Sequence, residues 1–354
     1  MNLPIKTDIR ALSKDALKTA MEAIGEKSFR ANQVYEWLWK KSATDFDEMS
    51  NLSLQTREWL KANYVINHVK VVDKQISNDK TIKSGFQLHD THIVEGVLIP
   101  ATDRMTACVS SQVGCSLSCK FCATGKLDRI RNLNPDEIYD QVVHIRNWAN
   151  THYNQPLTNI VFMGMGEPLL NYKNVLAAIQ KITSPEGLGM SSERITVSTA
   201  GIAKMIEKLA DDKVKFRLAL SLHAANDDKR NSIMPINESN SLASLIDALH
   251  YFHLNTRNRI TFEYIAFKDF NDSIADAKEL LAICKKVPAK VNIIEYNPTG
   301  DGLFEKANAN KIDAFAQFLL KNGVQATVRR SRGKDIDAAC GQLANKKHEN
   351  ALIK

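Results

Sequence analysis

No stretch of the 354 residues approaches the ~20 consecutive apolar positions that a membrane-spanning helix requires. The opening residues, MNLPIKTDIRALSKD, lack the apolar core of a signal peptide, so a cytoplasmic protein is expected. Glycine (15) and proline (9) are sparse and nowhere combine with serine into a long segment, which argues against a flexible or low-complexity chain. Cysteine is scarce as well. Six cysteines in a cytosolic chain of this size do not make a disulfide framework. Four of them, however, crowd between positions 108 and 122, and clustering of that kind points to metal or redox chemistry.

What is present is a globular composition. Hydrophobic residues make up 44% of the chain, enough for one large core and a smaller accessory domain. The net charge is +7, with Lys and Arg spread along the chain. A polyanionic partner suits that balance, and so does an ordinary basic surface; charge alone leaves both open.

Residues 1–68 read as a helical accessory domain: Phe29, Val34, Trp37 and Leu38, then Leu52, Leu54, Trp59 and Leu60, recur near helical spacing. The aromatics beside Arg30, Lys40 and Lys41 are read first as core packing, with base stacking as the alternative. Residues 69–100 change to β-rich runs, with turns expected at Asn78-Asp79 and His89-Asp90, and are expected to form an antiparallel connector. From 101 to 345 apolar β-branched runs alternate with helical stretches. The order argues an α/β fold, a complete or partial (β/α) barrel whose functional residues gather at the C-terminal ends of its strands. Residues 346–354 are expected to form a C-terminal tail.

Cys115-Ser-Leu-Ser-Cys119-Lys-Phe-Cys122 follows the first barrel strand. Three thiolates on one tight loop can hold three corners of an iron–sulfur cube and leave the fourth iron open. Structural zinc needs four closed ligands, and no second C-x2-C pair is present; a zinc knuckle borrowing Cys108 or a distant His stays as the alternative. Gly164-Met-Gly166-Glu167-Pro168 follows the strand NIVFM. Its glycines permit close backbone approach, and its carboxylate can accept from an ammonium group. Ser198, then Ser221-Leu222-His223, then Asn297 stand at the ends of three further strands.

These features resemble the radical S-adenosylmethionine superfamily. That resemblance implies a [4Fe–4S] cluster on Cys115, Cys119 and Cys122 whose open iron binds S-adenosylmethionine. It also implies cofactor contacts from Gly166, Glu167, Ser198, Ser221, Leu222, His223 and Asn297. The reduced cluster would cleave the sulfonium to a 5′-deoxyadenosyl radical. The segments MTACVSSQVGCSLSCKFCATG, VFMGMGEPLLN, SLHAAND and RGKDIDAACGQL are similar more narrowly to the RlmN family of RNA adenine C2-methyltransferases.

The narrower resemblance implies methylation of 23S rRNA and tRNA, with two S-adenosylmethionines consumed. Cys340 would carry the methyl group, Cys108 would resolve a protein–RNA adduct through a transient disulfide, and Glu95 would act as base near the target adenine. A flavodoxin or ferredoxin donor, a monomer and no membrane association are expected with it. The chemistry is coherent, because C2 of adenine is not nucleophilic and a polar methyl transfer should fail there. Pro168 in GMGEP resembles the C2 group, and a C8-specific relative is the alternative. A glycyl-radical activase would have no use for Cys108 or Cys340. Lys120, Lys126, Arg129 and Arg131 around the cluster loop, and Arg329, Arg330, Arg332 and Lys334 before Cys340, are expected to meet phosphates.

Overall fold

The computed structural model describes residues 6–345. The expected tail and the first five residues lie outside that range. Strand β1 (Thr7–Asp8) pairs in parallel with β2 (Tyr64–Val65) and closes a three-helix unit of α1 (Lys14–Glu22), α2 (Phe29–Trp39) and α3 (Leu54–Asn63). Ser13 and Ser53 cap α1 and α3 by accepting from the amides of Ala16 and Thr56, which satisfies donors a helix start leaves orphaned. Leu17, Met21, Val34, Leu38, Trp39 and Leu60 fill the interior. Phe29 and Leu54, read as core, are exposed instead. Both stand at the first position of their helices, where the apolar face has not yet turned inward.

The helical unit is fastened to the rest by a buried arginine. Arg10 donates to Asp140 at 2.7 Å, to Asp136 at 3.1 Å and to the carbonyl of Asn67 at 2.6 Å. Asp140 also accepts from the Val69 amide at 3.0 Å. Removing one partner of a buried ion network strands the others. Arg10→Met is therefore expected to lower unfolding stability by roughly 3–5 kcal/mol, read from urea melts of the full chain. An unchanged midpoint would show that the network contributes nothing.

Strands β3 (Lys70–Ile76), β4 (Ile82–Gln87) and β5 (Ile93–Ala101) run antiparallel to one another, and β5 pairs with β6 (Arg104–Cys108). The segment read as a connector is therefore hydrogen-bonded into the main sheet. A two-stranded ribbon follows, β7 (Gln112–Val113) with β8 (Arg131–Asn132), and then α4 (Pro135–Tyr153).

From β6 onward the sheet is parallel. Its remaining strands are β9 (Asn159–Phe162), β10 (Ile195–Thr199), β11 (Arg217–Ser221), β12 (Ile260–Ala266), β13 (Ala289–Glu295) and β14 (Ala326–Arg329). The crossovers are α5 (Tyr172–Thr183), α6 (Ala203–Asp211), α7 (Asp227–Ile233) with α8 (Leu242–Thr256), α9 (Ile274–Cys284) and α10 (Ala309–Lys321). Among the described residues the strand order runs from β14 to β3 with no pairing between the two ends, so this is a partial barrel.

Along β12 and β13 the pleat divides the residues cleanly. Phe262, Tyr264, Val291 and Ile293 join the large core, while Ile265 and Ile294 face the same apolar cluster as the cysteine loop. Helix α7 was not legible in the sequence, since DDKRNSI has no apolar stripe; Asn226 starts it by capping Lys229. No helix among the described residues is long and apolar enough to cross a membrane.

Candidate active site

The cysteine loop is shaped by its backbone. Gly114 sits at φ +73°, and a Cβ there would meet the Asp128 carbonyl oxygen at 1.9 Å, so only glycine lets loop 114–128 close on itself. Cys115 N–H donates to Leu127 O at 3.2 Å and Cys122 N–H to Cys119 O at 3.2 Å. The three half-buried thiols pack against Leu117, Phe121, Ile233, Met234 and Ile265. Burial pushes the Cys115 thiol up to about 11 and raises that of Cys119 as well, and the neighbouring Cys122 raises both again. Bound metal reverses such shifts, because a coordinated thiol is deprotonated outright.

Among the described residues no three His, Cys, Asp or Glu side chains converge on a single metal-ion site. Mononuclear zinc draws every sulfur ligand to about 2.3 Å from one ion, whereas in an iron–sulfur cube each thiolate binds a different iron. Three thiols on one loop, walled by apolar side chains, are a donor set that fits the cube.

The glycine motif lies beside this loop. Gly166 has φ +93°, and a Cβ there would meet Gln112 Cβ at 2.4 Å. Gln112 Oε1 accepts from Glu167 N–H at 2.8 Å. The buried Glu167 carboxylate accepts from Leu169 N–H at 3.0 Å and Ala200 N–H at 2.7 Å. Burial raises this carboxyl, and the amides oppose the rise. Ser198 and Ser221, near the ends of β10 and β11, bring their hydroxyls to 3.4 Å. Leu222 is buried in the core.

His223 Nδ1 accepts from Ile265 N–H at 3.1 Å, which leaves the ring proton on Nε2. Burial, then the charge of Arg230, holds its pKa down to about 3, so the ring is neutral. Its ring meets Phe121 of the cysteine loop edge-on, 4.7 Å between centroids. Asn297, just beyond β13, donates to the carbonyl of Cys340 at 3.3 Å.

One residue central to this arrangement gave no signal in the sequence. Arg230 on α7 is fully buried and donates to the carbonyls of Leu222 at 3.1 Å and Ser221 at 3.2 Å, to that of Ala200, and to Asn237 Oδ1 at 2.5 Å. It ties the ends of β10 and β11 together beneath the cysteine loop. In the sequence it is one basic residue in a polar run.

The segment bearing Cys340 lies across the barrel mouth. Gly333 N–H donates to Asp79 at 2.9 Å, and Asp335 accepts from Ser77 at 2.5 Å and from the Asn78 amide at 3.0 Å. Farther on, Gly341 O accepts from Ala123 N–H at 2.7 Å and Leu343 O from Thr124 at 2.6 Å, both on the cysteine loop. Cys340 itself keeps exposed surface although protein crowds around it, and that crowding, then the charge of Glu263, raises its thiol. Cys108, buried at the end of β6, is raised by burial and then by Cys340. All six cysteines are free thiols.

Glu95, on β5, is buried rather than solvent-facing. One carboxylate oxygen pairs with Lys83 at 3.3 Å, and the other accepts from the amides of Ala344 at 2.8 Å and Asn345 at 3.1 Å. Neither Lys83 nor this grip on the Cys340 segment was legible in the sequence.

The basic residues divide. Lys120 and Arg129 are exposed beside the cysteine loop. Arg131 is committed elsewhere: it bonds Glu137 at 2.7 Å and Asp90 at 2.5 Å, fixing the β7–β8 ribbon to α4, so the phosphate role expected of it is withdrawn. Lys126 pairs with Asp301 at 2.5 Å, and Arg332 donates to the Pro100 carbonyl at 2.7 Å.

Comparison with known proteins agrees with this architecture. Residues 7–66 match the ribosomal RNA large subunit methyltransferase N-terminal domain, and residues 109–281 match the radical SAM superfamily. A probable dual-specificity RNA methyltransferase RlmN from Cytophaga hutchinsonii is 62% identical, covering 96% of this chain and 93% of its own. One from Christiangramia forsetii is 60% identical, covering 96% and 97%. The crystal structure of a radical SAM methyltransferase from Sphaerobacter thermophilus superposes with a TM-score of 0.90 at 38% identity, over 95% of this chain and 99% of that one.

Proposed function

Because the chain belongs to the RlmN family of radical S-adenosylmethionine RNA methyltransferases, we propose that it methylates C2 of an adenine in ribosomal and transfer RNA, with Cys340 as methyl carrier. The observation that carries this reading is the Cys340 segment, tied at once to the cysteine loop and to β5, with Cys108 buried on β6, the strand paired with β5.

Cys115, Cys119 and Cys122 would hold a [4Fe–4S] cluster, and Gly166, Glu167, Ser198, Ser221, Leu222, His223 and Asn297 would hold S-adenosylmethionine. When bound, that pair supplies the methyl group and the one-electron chemistry that activates it, two S-adenosylmethionines per product. The protein's own groups do the rest. Glu167 is oriented by two amides, and neutral His223 keeps one N–H free to donate.

The S-methyl group of Cys340, after giving up one hydrogen atom to the one-electron chemistry that the bound pair would supply, would join its carbon to C2 of the base, which must be unstacked to be reached. The odd electron would return to that pair as the C2 proton leaves. Glu95 would take the C2 proton once it releases the amides of Ala344 and Asn345. Attack of Cys108 sulfur on Cys340 sulfur forms the S–S bond and breaks the C–S bond. The electron pair goes to the departing carbon, which takes a proton. Burial keeps Cys108 a thiol until then. The N-terminal helical unit would contact RNA, a flavodoxin- or ferredoxin-type donor would supply electrons, and the monomeric protein would work in the cytoplasm.

The test is mass spectrometry of nucleosides from RNA of cells with and without the gene. 2-Methyladenosine should vanish from ribosomal and transfer RNA on deletion, return with the wild type, and not return with Cys340→Ala. Loss of 8-methyladenosine instead would overturn the C2 assignment.

A further inference from the structure

Glu295 ends strand β13 at the barrel mouth, and its side chain is only 4% exposed. One of its oxygens accepts from Arg330 at 2.8 Å and Lys306 at 3.3 Å, the other from Lys334 at 2.8 Å. The three cations come from two parts of the chain: Lys306 from the loop before α10, and Arg330 and Lys334 from the segment that runs from β14 to Cys340. Each is about half exposed (46–49%), so the carboxylate lies beneath and the positive groups stand above it in solvent. Arg330 also reaches Asp313 at 3.0 Å. The cluster borders the proposed chemistry, because Asn297, two residues after Glu295, bonds the Cys340 carbonyl.

Three like charges do not converge unaided. Each repels the others, and each is long and flexible enough to retreat into water. A single buried carboxylate overcomes that repulsion and fixes where the three ends sit. Against burial, which would raise it, the three cations hold the Glu295 carboxyl at about 2, so it is ionised at every physiological pH. The cations outnumber the acids they touch, and an ammonium or guanidinium that gives one or two hydrogens to Glu295 has others left to donate. A tetrahedral dianion or a phosphodiester oxygen is the complementary acceptor.

We infer that Glu295 is a positioning residue for RNA: it gathers Arg330, Lys334 and Lys306 into a cradle that takes a backbone phosphate next to the target adenine. The inference rests on the RNA-methyltransferase reading above. It makes a prediction opposite in sign to the one that charge alone makes. Removing an acid from a surface that binds a polyanion should tighten binding; removing the acid that organises the cations should weaken it.

The experiment measures affinity of the full-length protein for a synthetic stem-loop RNA bearing one unpaired adenosine, across a series of salt concentrations. Glu295→Gln is expected to bind roughly three- to tenfold more weakly, with the slope of log affinity against log salt shallower by about one. The loss should appear in KM for RNA rather than in kcat. Lys306 is half exposed, so Lys306→Ala keeps the fold even where Glu295→Gln does not, and alone it must weaken binding and flatten the slope. In the Glu295→Gln background Lys306→Ala should add little, because its cation is already loose. Equal or tighter binding by Glu295→Gln, an unchanged slope for Lys306→Ala, or fully additive losses would overturn the cradle and leave the methyltransferase reading standing. A wild type that binds no RNA would overturn both.

Discussion

Cys108→Ala protein purified from cells is expected to carry RNA attached by a bond that survives denaturation. The expectation follows from the division of labour proposed for the two thiols. Cys340 keeps exposed surface at the barrel mouth, where the proposed target base would reach it. Cys108 is buried at the end of β6, the strand paired with β5. Without Cys108 the carbon–sulfur bond to the base has no sulfur to displace it, and the reaction stops at the adduct. On a denaturing gel most of the Cys108→Ala protein should run as a retarded, nuclease-sensitive band. The Cys108→Ala, Cys340→Ala double variant should lack that band. Free turnover by Cys108→Ala would mean that another group releases the product.

The second large effect concerns the cysteine loop. Cys119→Ala should purify colourless, with iron and acid-labile sulfide near zero and S-adenosylmethionine cleavage reduced to background. Two thiols remaining on the loop would be too few to hold the proposed cube, which would have no fourth protein ligand. Cys284→Ala is the matched control. Cys284 ends α9, half-buried and outside the apolar cluster that walls the cysteine loop, so its loss should leave colour and cleavage intact. A brown, cleavage-competent Cys119→Ala protein would remove the cluster assignment.

Much of the architecture was legible because it is periodic. The strands RITVS, FRLALS and RITFEYIA and the helices between them occur where apolar residues recur at the spacing of those elements. The cysteine loop was legible for another reason: its three sulfurs are adjacent in the chain, so local spacing alone reveals them. Arg230, Lys83 and Glu295 were not, because each acts on groups far away in sequence. Arg230 bonds the carbonyl of Ala200, Lys83 pairs with Glu95, and Glu295 holds Lys306, Arg330 and Lys334. Arg131 shows the opposite error. Its neighbours in the sequence suggested a phosphate contact, but folding brings Asp90 to its guanidinium, and Glu137 takes the rest.

The amino-acid sequence by itself determined the alternation of the longer barrel strands and helices, the three-sulfur loop and the set of polar groups at strand ends, since all of these depend on spacing within short windows. Only the tertiary structure decided how they are joined. It bonded β3–β5 into the barrel sheet, anchored the helical unit through Arg10, and pinned the Cys340 segment between Glu95 and the cysteine loop. The physical reason is that these bonds neutralise buried charges and satisfy backbone donors. A buried charge or amide takes whichever partner the packed chain brings within reach, and separation along the sequence does not enter that choice.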